Sequence, residues 1–218
     1  MLRRLVDGIS GEPYYVNAID QQFRRAVLAL AWPMEPIAGA IVVLGELRHK
    51  PTVIGEARHI HLLDEVRSHN PAELIHDAER LMRQNHVPRI ITPDDDARSM
   101  LIDVENDQRR AQRRYPLRYE PPIQWRGKGT GMLTYYLSLL QTRLVGAKTI
   151  FFGPSSSLPS EVSQASTAQQ QTTEPRMDKW PGVCALCWAV EAIDCNPMHE
   201  WSYGAMQPGG HADAIGGY

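Results

Sequence analysis

Apolar residues along this chain come in two kinds of run. Residues 38–46 (AGAIVVLGE) and 59–66 (HIHLLDEV) are rich in Val, Ile and Leu and are bounded by Gly, Pro or charge. Both patterns predict strands, paired as neighbours across the connection between them. Residues 12–20 (EPYYVNAID) alternate loosely and end at Asp20, which predicts a first strand. VPRIIT (87–92) and KTIFF (148–152) predict two more short strands. Helical spacing appears after Asn70, where Leu74, Ile75, Ala78, Leu81 and Met82 mark one face. Asn70 is placed to cap that helix, Pro71 to occupy its first position, and Glu73 to close a capping box. Further helices are predicted from Ala97 through an arginine-rich stretch, over 130–144, and from Pro181 to Asp194.

Two segments lack such patterning. Residues 155–174 are rich in Ser, Thr and Gln and are expected to be a mobile loop, and residues 196–218 a disordered tail. The remainder reads as one domain over 1–195 with no internal repeat. Its order is three strands, helix, strand, two helices, strand, helix. That order predicts an α/β fold, a mixed sheet with helices on both faces, in the sequence of the ribonuclease H-like fold.

Composition changes this picture in only a few places. The chain has 218 residues, 43% of them hydrophobic, enough for a real core. Its net charge of −2 creates no global attraction to nucleic acid or membranes. The charge is uneven, however: residues 109–129 contain Arg109, Arg110, Arg113, Arg114, Arg118, Arg126 and Lys128 against Glu120 alone. Such a cluster is either a solvated helix face or a surface that meets phosphates. No apolar run approaches the ~18 residues of a membrane span. The N-terminus has no secretory pattern, so a cytoplasmic protein is expected. Cys184, Cys187 and Cys195 fall inside an apolar helical segment and are expected to be reduced, packed thiols. His59 and His61 share a strand face and are read as strand residues.

The acids carry the candidate chemistry. Asp94, Asp95 and Asp96 end the strand VPRIIT, and Asp20 ends the expected first strand. Polar turns and helix caps use Asp in this way. Carboxylates on the ends of adjacent strands can also grip two cations ~4 Å apart, which clamp the attacking and leaving oxygens of a phosphodiester.

Residues 95–98 (DDAR) before a helix, 128–132 (KGTGM) opening a second, and a following strand TIFF resemble the nuclease domain of phage terminase large subunits. The resemblance spans roughly residues 14–194. It implies a metal-dependent endonuclease using Mg2+ or Mn2+ that cuts concatemeric viral DNA during genome packaging. Double-stranded DNA would be its substrate, with a packaging ATPase, portal or small terminase subunit as protein partners, in the host cytoplasm if phage-encoded. Asp20 and Asp95 would be the first two catalytic metal ligands, with Asp94 and Asp96 as their neighbours. Arg109, Arg110, Arg113, Arg114, Arg126 and Lys128 would contact the DNA.

The third ligand is where the chain departs from the family. Cys184 stands where the closing helix should carry Asp, and the nearest acid that substitutes is Asp178. A thiol is a poor ligand for magnesium, which wants oxygen. Three readings therefore remain: a nuclease completed by Asp178, a catalytically degenerate ribonuclease H-like module that binds DNA or a partner, or another enzyme on this fold, such as a junction resolvase or transposase, with Glu191 as its further acid. The packaging ATPase is not encoded here, because GKGTG has Pro122 where a phosphate loop needs its first Gly.

Overall fold

Ten residues, Gln22–Ala31, form the strand around which everything else is arranged. The structure is a computed structural model that describes residues 1–48, 58–94, 96–123, 130–171 and 179–195. The expected first strand is instead a short one followed by a turn. In chain order the strands are β1 (Arg3–Val6), β2 (Pro13–Val16), β3 (Gln22–Ala31), β4 (Gly39–Leu47), β5 (Ile60–Ser68), β6 (Ile90–Ile91), β7 (Tyr119–Glu120) and β8 (Ile150–Phe151). The helices are α1 (Pro71–Asn85), α2 (Met100–Ala111), α3 (Thr130–Gln141), α4 (Leu158–Gln171) and α5 (Pro181–Cys195).

β3, β4 and β5 are antiparallel neighbours; β6 then lies parallel to β3, and β7 parallel to β6. That central order is ribonuclease H-like. The β1–β2 hairpin and β8 extend the sheet beyond it. Both faces of the sheet are covered, which is why Ala26–Trp32 is apolar without interruption. Ala26, Leu28, Leu30 and Trp32 pack with Leu74, Ala78, Leu81 and Ile102 of α1 and α2. Val27, Ala29 and Ala31 pack on the other face with α3, α4 and the nearly all-apolar α5.

α1 is capped as expected by the Asn70 side chain, which accepts from Ala72 N at 3.0 Å. Glu73 does not close a capping box; its carboxylate accepts from Ser68 Oγ at 2.6 Å. The expected loop at 155–174 is corrected by α4. Leu158, Val162 and Ala165 recur at helical spacing and bury against the core of α5. Ser166 and Thr167 donate to carbonyls one turn back, so their hydroxyls are satisfied within the helix. The expected disordered tail lies outside the described residues. No helix among the described residues is long and apolar enough to cross a membrane.

Candidate functional site

The carboxyl ends of β3 and β6 meet at one corner of the sheet, because Leu28 lies opposite Ile90 and Ala29 opposite Ile91 in parallel register. Continuing both strands sets Leu30, Ala31 and Trp32 beside Thr92, Pro93 and Asp94. The corner is stitched tightly. The Trp32 indole N–H donates to Ser99 Oγ at 3.1 Å, and that hydroxyl donates to the Pro93 carbonyl. Arg98 donates to the Pro33 carbonyl, tying the β6–α2 turn to the end of β3. Asp96 caps the single 3-10 turn over Ala97–Ser99, accepting from Arg98 N at 3.0 Å and from its Nε at 2.7 Å. Its carboxylate is thus held by the neighbouring guanidinium. Asp94 is exposed, and Asp95 lies outside the described residues.

Asp20 is not brought to this corner. It sits in the turn between β2 and β3 with a left-handed φ of 59°, which Asp tolerates better than most residues. The whole of β3, about 30 Å at ~3.3 Å per residue, separates it from Asp94. The physical reason is the position of the central strand, since the sequence reading ended its first strand where β3 only begins. The side chains at the carboxyl end of β3 are Ala31 and Trp32, both buried.

The third position is likewise apolar. Cys184 is buried in the cluster that holds Ala29, Ala31 and Ile91. Cys187, one turn on, points its thiol at the Tyr136 carbonyl, 3.7 Å away. Burial first, and the neighbouring Cys184 second, push the Cys187 thiol well up, so it stays protonated. Asp178 lies outside the described residues. Among the described residues, no three His, Cys, Asp or Glu side chains are grouped to hold a metal ion. The expected Mg2+ or Mn2+ ligand set therefore does not fit the described part of the corner.

The same end of the sheet carries charges that the sequence reading passed over. Arg67 pairs with Ala40, and Glu65 with Val42, on the face that packs α5. Arg67 reaches Glu65 Oε1 at 3.0 Å and Glu161 Oε2 at 2.6 Å, one guanidinium between two carboxylates. Glu161 Oε1 also accepts from Gly182 N at 2.9 Å, capping the start of α5. Glu65 accepts from Ser156 Oγ at 2.7 Å and from Ser157. Burial opposes its charge, but the Ser157, Ser156 and Arg67 hydrogen bonds prevail, and its carboxyl stays below the ordinary range. The available signal was the alternation of Glu65 and Arg67 around Val66.

The arginine cluster divides in two. Arg109 is buried and pairs with both Glu79 and Glu105; Arg114 and Arg83 also pair with Glu79. Arg109 thereby faces inward, away from any phosphate, which corrects its expected DNA contact. Arg110 is exposed beside Asp107 at 2.6 Å, and Arg113 projects from the turn that ends α2. Arg126 and Lys128 lie outside the described residues.

No protein-family model and no curated protein sequence matches the chain. Among solved structures, the manganese-bound large terminase nuclease domain of bacteriophage SPP1 is similar, with a TM-score of 0.46 and 16% identity. The likeness covers 78% of this chain and 88% of that one. The fold assignment rests on the strand order above.

Proposed function

We propose that this chain is a catalytically degenerate ribonuclease H-like module that binds duplex DNA without cutting it. One observation carries the reading: the carboxyl end of β3, beside Asp94, presents Ala31 and Trp32 rather than a carboxylate. Each of two cations needs several oxygen ligands from converging rigid elements, and among the described residues no three His, Cys, Asp or Glu side chains are grouped to hold even one. Cys184 in its apolar surroundings adds to this. Arg110 and Arg113, facing solvent at the end of α2, are described side chains of the arginine cluster that are available to backbone phosphates.

The test is plasmid DNA incubated with the protein in Mg2+, Mn2+ or chelator, read by gel for both retardation and cutting. The expected result is retarded, intact DNA, with equal retardation in all three. A second reading, the metal-dependent endonuclease of terminase type, is favoured by exposed Asp94 at the end of β6. Cutting in Mn2+ that disappears in Asp94→Asn would establish that reading and overturn degeneracy. Cys184→Asp gives an independent check. In the degenerate module it buries a carboxylate among Ala29, Ala31 and Ile91, so its Tm drops as much in Mn2+ as in chelator.

A further inference from the structure

A row of rings crosses the amino-terminal half of β5 and emerges at the sheet's edge. Phe23, fully buried on β3, meets His61 edge-on with centroids 6.1 Å apart. His61 stacks on Phe151 of β8 at 4.7 Å and 30°, and His59 lies 5.7 Å from the same Phe151 ring. Strand register builds the row, since Gly45 of β4 pairs with His61 and His61 with Phe151. Gly45 leaves room for it, because a Cβ there would fall 2.6 Å from Phe23 Cδ1. The last turn of α1 meets β5 further along the strand, at Asp64, through a 2.8 Å hydrogen bond from Asn85. Phe151 is 41% exposed although it is a large apolar ring.

We propose that His59, His61 and Phe151 form a stacking platform for unpaired nucleobases, making this sheet face a site for single-stranded nucleic acid. The exposed Phe151 ring, backed by the two half-buried imidazoles, suits bases of any identity, because every base has a π-face. Only unpaired bases can lie there, since those of a duplex already stack on each other. Burial, and then the charge of His59, lower the His61 imidazole from its ordinary value, which keeps that ring neutral at pH 7. Charge is complementary at the rim: Lys148, exposed just before β8, makes no ion pair among the described residues and is placed to meet a phosphate. The platform lies on a different part of the sheet from the β3–β6 corner, so it goes beyond the proposed function and stands whether or not that corner cuts DNA.

The experiment compares the full chain and Phe151→Ala for binding to a labelled ten-nucleotide oligothymidine and to an abasic oligomer of equal length. The variant is expected to bind oligothymidine about tenfold more weakly, in line with the loss of one base–ring stack. Abasic binding should be equal and weak for both proteins, and Tm unchanged. Phe151→Trp supplies a second readout, quenching of the new indole by oligothymidine but not by the abasic strand. Equal oligothymidine affinity for the full chain and Phe151→Ala, or a Trp emission that ignores the bases, would overturn the platform. Duplex retardation, measured alongside, reports on the corner and arginine surface separately.

Discussion

Two charge networks fasten the helical layers on opposite faces of this sheet, and they are built in opposite senses. On the α1–α2 face one carboxylate, Glu79, gathers three guanidiniums, those of Arg83, Arg109 and Arg114. On the α5 face one guanidinium, Arg67, joins two carboxylates, Glu65 and Glu161. The first buries Arg109 against Glu79, while Arg83 and Arg114 meet the same carboxylate from the solvent side. The second neutralises acids at the sheet end where a metal cluster would otherwise be sought. The difference teaches that a charge run need not be all surface. Arg109 is buried between α1 and α2, and the missed acids are bound to an arginine and a helix start.

The largest effect should come from breaking the first network. Glu79→Ala leaves Arg109 buried with Glu105 as its remaining partner, and removal of one member of a buried pair is costly. Urea unfolding should show a loss of about 3 kcal/mol. The Arg109 hydrogen bond, opposed by burial and helped by the charges of Arg109, Arg83 and Arg114, holds the Glu79 carboxyl below its ordinary 4.5. Its stabilisation is therefore fully present above pH 4.5 and disappears as pH falls through the lowered folded value. Glu79→Gln should flatten that acid limb, and an unaltered limb would remove Glu79 from the account.

A smaller loss is expected from the second network. Glu161→Ala uncaps α5, leaving Gly182 and Val183 N–H without their carboxylate, while Arg67 keeps Glu65. About 1–2 kcal/mol should be lost. Arg67→Met tests the same contact from the other side. It frees two partly buried carboxylates, so its deficit should be greatest at neutral pH and shrink as Glu65 protonates. A deficit that grows in acid would contradict the clamp.

The sheet class, α1, α5 and the strands at β4, β5 and β6 were legible in the sequence, because periodicity and capping at those places agree with burial. β3 was not, although it is the centre of the fold. Arg24 and Arg25 break its apolar run, and Arg25 is held by Glu46 and the Ile193 carbonyl, distant partners that no local pattern reveals. Missing β3 misplaced the first acid, since Asp20 then looked like a strand end. Composition hid α4, whose three apolar contacts are outnumbered by Ser, Thr and Gln. Asp96 was legible as a cap, because Asp before a helical turn uses its carboxylate locally.

The smallest effect on stability, and the most direct probe of the surface, is expected at two arginines of the cluster that lie outside both networks. Arg110 has an exposed partner three residues away, Asp107, and such pairs contribute little. Arg113 sits in the turn beyond α2 with a left-handed φ of 56°, so Arg113→Gly is the substitution its backbone accepts best. Arg110→Ala with Arg113→Gly should leave unfolding within about 0.5 kcal/mol of the parent. The same pair should reduce the salt slope of duplex DNA binding by about two units if each arginine contacts one phosphate. Arg109→Ala should do the reverse, lowering stability by kilocalories while leaving the slope of the surviving folded protein unchanged. A slope that responds to Arg109 but not to Arg110 and Arg113 would mean that the inward and outward arginines have been assigned the wrong way round.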